Sequence, residues 1–262
     1  MLKLDTILNR LYEALAQSAK DRRIDDLRVG LSYVGVKLDN GNAGIAALIP
    51  DRSLRSCTVL KEAGTYAGAN ASDILDYLVR GSNSLHRAIG LAVANAMIES
   101  SFDQAEDREA TTYFNLQPGE KVAMVGLFAP LVKRIEATGA ILTVIEKNPE
   151  RLEILSPDDR QKALKECDVA IITATTLLNN TFEEMINLLG SPRLVAMMGP
   201  STPLVPEIFR DTCVKHLGGA VVKDSARVLQ IISEGGGTPA LRPYLRFVNL
   251  LLDRSVVEIS DT

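Results

Sequence analysis

Gly126, Phe128 and Pro130 follow a short apolar run at residues 122–125, and Glu146 closes a second apolar run, 141–145, twenty residues after Gly126. A glycine after one strand and an acid after the next is the spacing of a Rossmann-type βαβ unit, whose acid meets a ribose hydroxyl. The phosphate-cradling glycines differ. The G-x-G-x-x-G positions read Gly126-Leu127-Phe128-Ala129-Pro130-Leu131. Phe128 and Pro130 obstruct close approach of a pyrophosphate to the backbone, and Pro130 has no N–H to give. The unit is predicted; the dinucleotide is not.

Three further segments carry chemistry. Thr173, Thr175, Thr176, Asn179 and Thr181 crowd hydroxyls and an amide directly behind the apolar run 169–172. Such groups hydrogen-bond an anion beside a helix start, or else form an Asx turn and a cap, with Thr181 and Glu184 spaced as a capping box. Gly199, Pro200, Ser201, Thr202 and Pro203 make a rigid turn that either presents its hydroxyls to a ligand or stands as structure alone. Gly235, Gly236 and Gly237 have the composition of a phosphate loop without its G-x-x-x-x-G-K-[ST] frame, and read as a ligand contact or as a hinge. Asp224 is a strand-end carboxylate or the N-cap of the helix that follows. Ser201 has no G-x-S-x-G elbow and neither histidine an evident partner, which excludes a serine hydrolase. His86 caps or packs at a helix start, and His216 lies in a strand-like segment. Asn95 sits near a small-residue stripe, where a buried amide must find partners, in the other domain or in a cleft.

The elements that hold these residues fall into two parts. Residues 1–108 read as α+β: an amphipathic N-terminal helix, a hairpin of two strands (27–38 and 43–49) with Asn40-Gly41 at its tip, and helices near 72–79 and 85–100. Residues 109–262 alternate apolar runs at 122–125, 141–145, 169–172, 194–198 and 220–222 with helical segments, ending in a helix over 240–252. Near-continuous apolar strands in βα alternation make a parallel sheet covered on both faces, with ligands collecting at the carboxyl ends of its strands. The charged stretch 103–109 and the Pro118-Gly119 turn bracket the boundary.

Composition narrows the partners. With 46% hydrophobic and 24% charged residues and a net charge of −4, the chain reads as a globular cytoplasmic protein without nucleic-acid or membrane partners; a homo-oligomer is compatible with it. Cys57, Cys167 and Cys213 are scattered, with no C-x-x-C pair, and there are only two histidines, so a closed zinc site from local ligands is not expected.

Taken in order, G-x-F-x-P at Gly126, T-x-T-T-L-x-N-x-T at Thr173, G-P-S-x-P at Gly199, Gly218-Gly219 followed by Asp224, and the Gly235–Gly237 run resemble an uncharacterised family labelled "putative heavy-metal chelation". The resemblance covers nearly the whole chain. It implies a domain similar to the enolase N-terminal domain joined to a Rossmann-like domain, a site in the cleft between them and a role connected with heavy metals. A soft ion wants thiolate or imidazole, which this chain hardly offers. Hard oxygen ligands (Glu62, Glu146, Asp224) or a metal already carried by an organic chelator suit the loops better. The expectation is a protein that binds a small anionic or metal-linked metabolite. The alternative is an enzyme using a nucleotide-type cofactor, such as S-adenosylmethionine or a nicotinamide dinucleotide. No catalytic residue is marked.

Overall fold

A computed structural model describes residues 6–49, 58–98 and 110–252. The chain begins with α1 (Ile7–Ala19), capped by the Thr6 hydroxyl on Asn9 N–H, and continues into β1 (Ile24–Val29), β2 (Tyr33–Leu38) and β3 (Ala43–Ala47). These strands form an antiparallel sheet in the order β1-β2-β3. The expected β2–β3 hairpin is present. The run 27–38, however, is not one strand, because the chain turns at Gly30, whose N–H donates to Tyr33 O at 2.9 Å. A Cβ at Gly30 would lie 2.1 Å from Ile232 O, so only glycine admits the helix that packs there.

Next come α2 (Ala71–Leu75), α3 (Tyr77–Arg80) and α4 (Ser84–Met97). Asn83, not His86, caps α4, and His86 packs against Tyr77 with ring centroids 4.8 Å apart. The small residues of α4 let it lie close on the small sheet: a Cβ at Gly44 would come within 2.4 Å of Ala92 O. The charged stretch 103–109, on one side of the expected boundary, lies outside the described residues, as do Cys57 and the end of the helix expected over 85–100.

The second half runs α5 (Thr111–Phe114), β4 (Lys121–Val125), α6 (Ala129–Glu136), β5 (Ile141–Ile145), α7 (Pro157–Glu166), β6 (Val169–Thr173), α8 (Thr175–Leu178), α9 (Phe182–Leu188), β7 (Leu194–Met198), β8 (His216–Val222), α10 (Ser225–Ser233), α11 (Thr238–Leu241) and β9 (Leu245–Leu251). Its six strands lie in the order β5-β4-β6-β7-β8-β9, parallel except for β9, which pairs antiparallel with β8. The fold is thus mixed α/β, a mostly parallel sheet beside a separate small antiparallel one. Side chains alternate across the large sheet as a strand demands. Val122, Met124 and Ile171 face Phe114 and Ile135 on one side, while Ala123, Ile172 and Met197 join a core with Leu164 and Phe182 on the other.

The final helix expected over 240–252 is a correction. Helix stops after one turn, Arg242–Tyr244 form a 3-10 turn containing Pro243, and β9 follows. Proline removes a helical donor and clashes with the preceding turn, and the β8 edge offers a full ladder from Val222–Leu245 to His216–Leu251. The capping box is a second correction: Thr181 gives its hydroxyl to Asn179 Oδ1 at 2.6 Å and does not cap α9 through its side chain. Among the described residues no helix is long and apolar enough to cross a membrane.

Candidate functional site

The order β5-β4-β6-β7-β8 gives the large sheet a switch point. From β4 the chain steps outward to β5, then crosses back to β6 on the other side. The loops leaving β4 and β6 therefore diverge, and their strand tips mark the switch point of an open parallel sheet, where such folds collect ligands. Gly126 ends β4 and Thr173 ends β6, side by side. Gly126 has φ +84°, and a Cβ there would stand 2.8 Å from Thr173 Cγ2, so glycine is required both by conformation and by space. Gly199, at the tip of β7 with φ +118°, takes Phe128 across its open side: the ring comes within 3.8 Å of where a Cβ would be. Phe128 thus reaches from the start of α6 over the β6 tip to β7.

Beside Gly126 lie two half-buried hydroxyls. Thr173 Oγ1 and Thr175 Oγ1 are 3.0 Å apart, and Thr175 N–H donates to Thr173 Oγ1 at 3.4 Å. Whichever hydroxyl donates to the other, one proton remains uncommitted among the described residues. Thr176 and Asn179 are spent differently: Thr176 gives its hydroxyl to Thr173 O at 2.7 Å, and Asn179 receives that of Thr181.

Glu146 stands at the tip of β5 with its carboxylate occupied by the protein. It accepts N–H donors from Lys147 at 2.8 Å, Asn148 at 3.1 Å and Leu127 at 3.2 Å, and pairs with Arg151 Nη1 at 2.9 Å. Burial by itself pulls its pKa upward, but the three amides and Arg151 outweigh it and hold the carboxyl below the usual range. Leu127 belongs to the β4–α6 loop, so Glu146 staples that loop at the height of Gly126 and Phe128.

The remaining expected residues are placed apart from this group. Ser201 is 2% exposed, and its hydroxyl accepts Ala47 N–H at 2.7 Å, clasping the small sheet. Pro200 precedes it half-buried, and Pro130 lies exposed in the first turn of α6. Asp224 is exposed and caps α10 by accepting Arg227 N–H. Gly235 and Gly237 meet the β1–β2 turn at Leu31 and Ser32, while Gly236 is closed in by Ile231. Glu62 is exposed in the first half.

Sequence reasoning missed the residues that join the halves. Arg87 Nε donates to Leu178 O at 2.6 Å, Ile7 N–H to Glu183 Oε1 at 3.0 Å, and Tyr33 and Thr238 share a 2.7 Å hydroxyl pair. Asn95, already noted for its place on α4, gives its amide to Ile45 O at 2.9 Å and Ser201 O at 3.4 Å. Partners so distant in sequence leave no local signal.

The donor set does not fit a bare soft ion. Among the described residues no three His, Cys, Asp or Glu side chains gather into a metal-binding group. Cys167 is buried, its thiol pushed up to about 11 by burial, and Cys213 is half-buried. His216 is wholly buried between Tyr113 and Phe114, bonded to Asn249.

Two family models, both described as "Putative heavy-metal chelation", match the chain, one over residues 12–98 and the other, DUF364, over residues 109–251. An uncharacterized protein of Methanocaldococcus jannaschii is 24% identical over 238 residues, 86% of this chain and 89% of the relative. The solved structure of a DUF364 protein of unknown function from Pyrococcus horikoshii superposes with a TM-score of 0.79 at 21% identity, covering 94% of this chain and 100% of that one. Another, from Desulfitobacterium hafniense, gives a TM-score of 0.76 at 22% identity, covering 93% and 98%. Below 25% identity these likenesses speak to fold, and the fold is the same mixed α/β. Since the second family model alone spans more than half of the 262 residues, the chain belongs to the DUF364 family, described as "Putative heavy-metal chelation".

Proposed function

We propose that the protein binds a small, oxygen-rich anionic ligand, or a metal ion already wrapped in such a ligand, in the crevice at the tips of β4, β6 and β7. The observation that carries this reading is the Thr173–Thr175 hydroxyl pair with its uncommitted proton, half-buried beside the positive-φ Gly126. Gly126 and Gly199 keep side chains out of the space, Thr173 and Thr175 hydrogen-bond an anionic oxygen, and Phe128 shields it. Glu146 acts as a positioning residue through Leu127 N–H. A carboxylate already holding three amides and an arginine is a poor acceptor for a ribose hydroxyl, which disfavours the nucleotide-cofactor reading. The family description enters here as cargo: a chelated metal presents oxygens to the crevice, whereas a bare ion would need ligands that the described residues do not gather. We assign the protein to the cytoplasm, where the free thiols of Cys167 and Cys213 stay reduced.

The test is a thermal-shift panel of free divalent ions, citrate, gallium–citrate, S-adenosylmethionine and NAD. A ligand at about 100 times its Kd adds roughly 2.7 kcal/mol to the folded state. The reading expects a rise with citrate or its gallium complex that Thr175→Val abolishes. A rise with an adenine cofactor alone, or with free ions alone, overturns it.

A further inference from the structure

The large sheet ends at β5, whose one strand neighbour among the described residues is β4. Ile141 N–H donates to Glu120 O at 2.7 Å, and Ile145 O accepts Gly126 N–H at 2.9 Å, so residues 141, 143 and 145 turn their backbone groups toward β4. Strand alternation then turns the N–H and C=O of Leu142 and Val144 outward, where no hydrogen bond meets them among the described residues. The strand reads Ile-Leu-Thr-Val-Ile, and residues 137–145 hold no charge and no proline. Ile141 is 57% exposed, and Leu142, Thr143 and Val144 are half-buried. The other sheet edges are guarded. β1 carries Asp25, Asp26 and Arg28, β9 carries Arg246, and β3 gives its Ala47 N–H to Ser201. Charges and covering groups keep strand edges from pairing with another chain. Among the described residues β5 has neither.

From these features we infer that β5 docks a second copy of this chain, antiparallel to its own β5, about a two-fold axis through Thr143. Backbone parity and side chains select that occupant and that register. About this axis Leu142 exchanges both backbone hydrogen bonds with the partner's Val144, and Val144 with the partner's Leu142. Ile141 meets the partner's Ile145, and Thr143 meets the partner's Thr143, so every residue of the strand finds a match. An axis at Val144 would instead set Ile141 against the partner's Lys147. Apolar, β-branched and threonine pairs are favourable cross-strand neighbours, and the paired span sets no charge against its like. The same patch serves both copies, so the contact closes at two and joins two six-stranded sheets into one. Edges of 5 residues cover less than the roughly 1,600 Å² of a standard stable interface. The dimer is therefore weak, with a dissociation constant on the order of 10–100 μM. Because the pairing is antiparallel, the switch points of the two copies lie at opposite ends of the joined sheet.

The experiment is sedimentation equilibrium of the full chain from about 1 μM to about 1 mM, with a cysteine trap for the register. The mass should rise from one chain toward two across that range. Ile141→Lys sets a charge opposite the partner's Ile145 and should weaken association by about tenfold or more with the fold kept. Leu31→Lys, at an 85% exposed position in the other half, should leave association unchanged. In Thr143→Cys the axis brings the two cysteines together as a non-hydrogen-bonded pair, with Cα atoms about 4.5 Å apart, within disulfide reach. Mild oxidation should then link two chains, while Ile141→Cys, set opposite the partner's Ile145, should link poorly. Should Ile141→Lys fail to fold, the trap decides alone. A single-chain mass at about 1 mM, association that Ile141→Lys leaves intact, or a dimer that Thr143→Cys does not trap would each overturn the inference. Slow amide exchange at Leu142 and Val144 in the monomer would overturn it too, by showing that another segment of the chain covers the edge.

Discussion

Glu146 and His216 are two ionisable side chains that folding has tuned in opposite structural contexts. Glu146 is held charged by Leu127, Lys147, Asn148 and Arg151, so Glu146→Ala strands three amides and a cation. It should cost roughly 2 kcal/mol in chemical denaturation and loosen any ligand of the crevice through the loop. A variant as stable as the parent would contradict the stapling role. The spacing of Gly126 and Glu146 exposed the strand–acid pattern in the sequence, but the identity of the carboxylate's partners depended on a loop whose path no periodicity reveals. His216 is buried, its ring Nε2 2.9 Å from Asn249 Oδ1. That acceptor makes Nε2 the protonated nitrogen and leaves Nδ1 bare and unpartnered among the described residues. Burial lowers its pKa, and the Asn249 bond only partly opposes this. Between the unfolded value and the lower folded one, the unfolded chain binds a proton that the native chain refuses, so stability must fall as pH drops below about 6.5. Glu146, depressed in the fold, adds its own loss further down, as pH passes through its lowered folded value. A melting temperature that stays flat from about pH 7 to pH 5 would contradict the burial of a neutral imidazole.

At the level of elements, four strands of the large sheet were legible because each is an apolar run of about five residues. β4, β5, β6 and β7 fall where those runs predict them. Helix starts were legible where the cap chemistry is local: Asp224 accepts Arg227 N–H at 3.0 Å. Two elements were not. A short helix does form at Thr238–Leu241, yet the pairing of residues 245–251 with β8 decides their state, and that is a tertiary preference. Similarly, Gly30 breaks a run of strand formers because α10 must approach it. The tip glycines belong to this scale too. Gly126→Ala forces a Cβ into Thr173 and a side chain into left-handed backbone, and should destabilise by about 1–3 kcal/mol, whereas Gly119→Ala shares the positive φ without the crowding and should cost less. Equal costs would mean that the closeness of β4 and β6 at their tips is not enforced.

As a whole molecule, the chain is two sheets joined by a shared core and a seam of hydrogen bonds. The small sheet lies between α4, which packs at Gly44, and α10, which packs Leu229 and Ile232 at Gly35. Because neither half buries that sheet alone, equilibrium unfolding should be a single transition. Ser201→Ala removes the acceptor of Ala47 N–H at the seam and should lower the stability of the whole by about 1–2 kcal/mol. Two separate transitions, or a loss confined to one half in hydrogen exchange, would contradict the shared core. The family resemblance implied a cleft between two halves; the switch point at the tips of β4, β6 and β7 follows instead from the strand order, which is not written in any local pattern. The most direct measurement is a threonine-methyl NMR titration with gallium–citrate, a diamagnetic, oxygen-liganded metal chelate. A crevice at the switch point predicts saturable shifts at Thr173 and Thr175 ahead of every other threonine. Shifts that leave both methyls unmoved while the chelate binds elsewhere would contradict it.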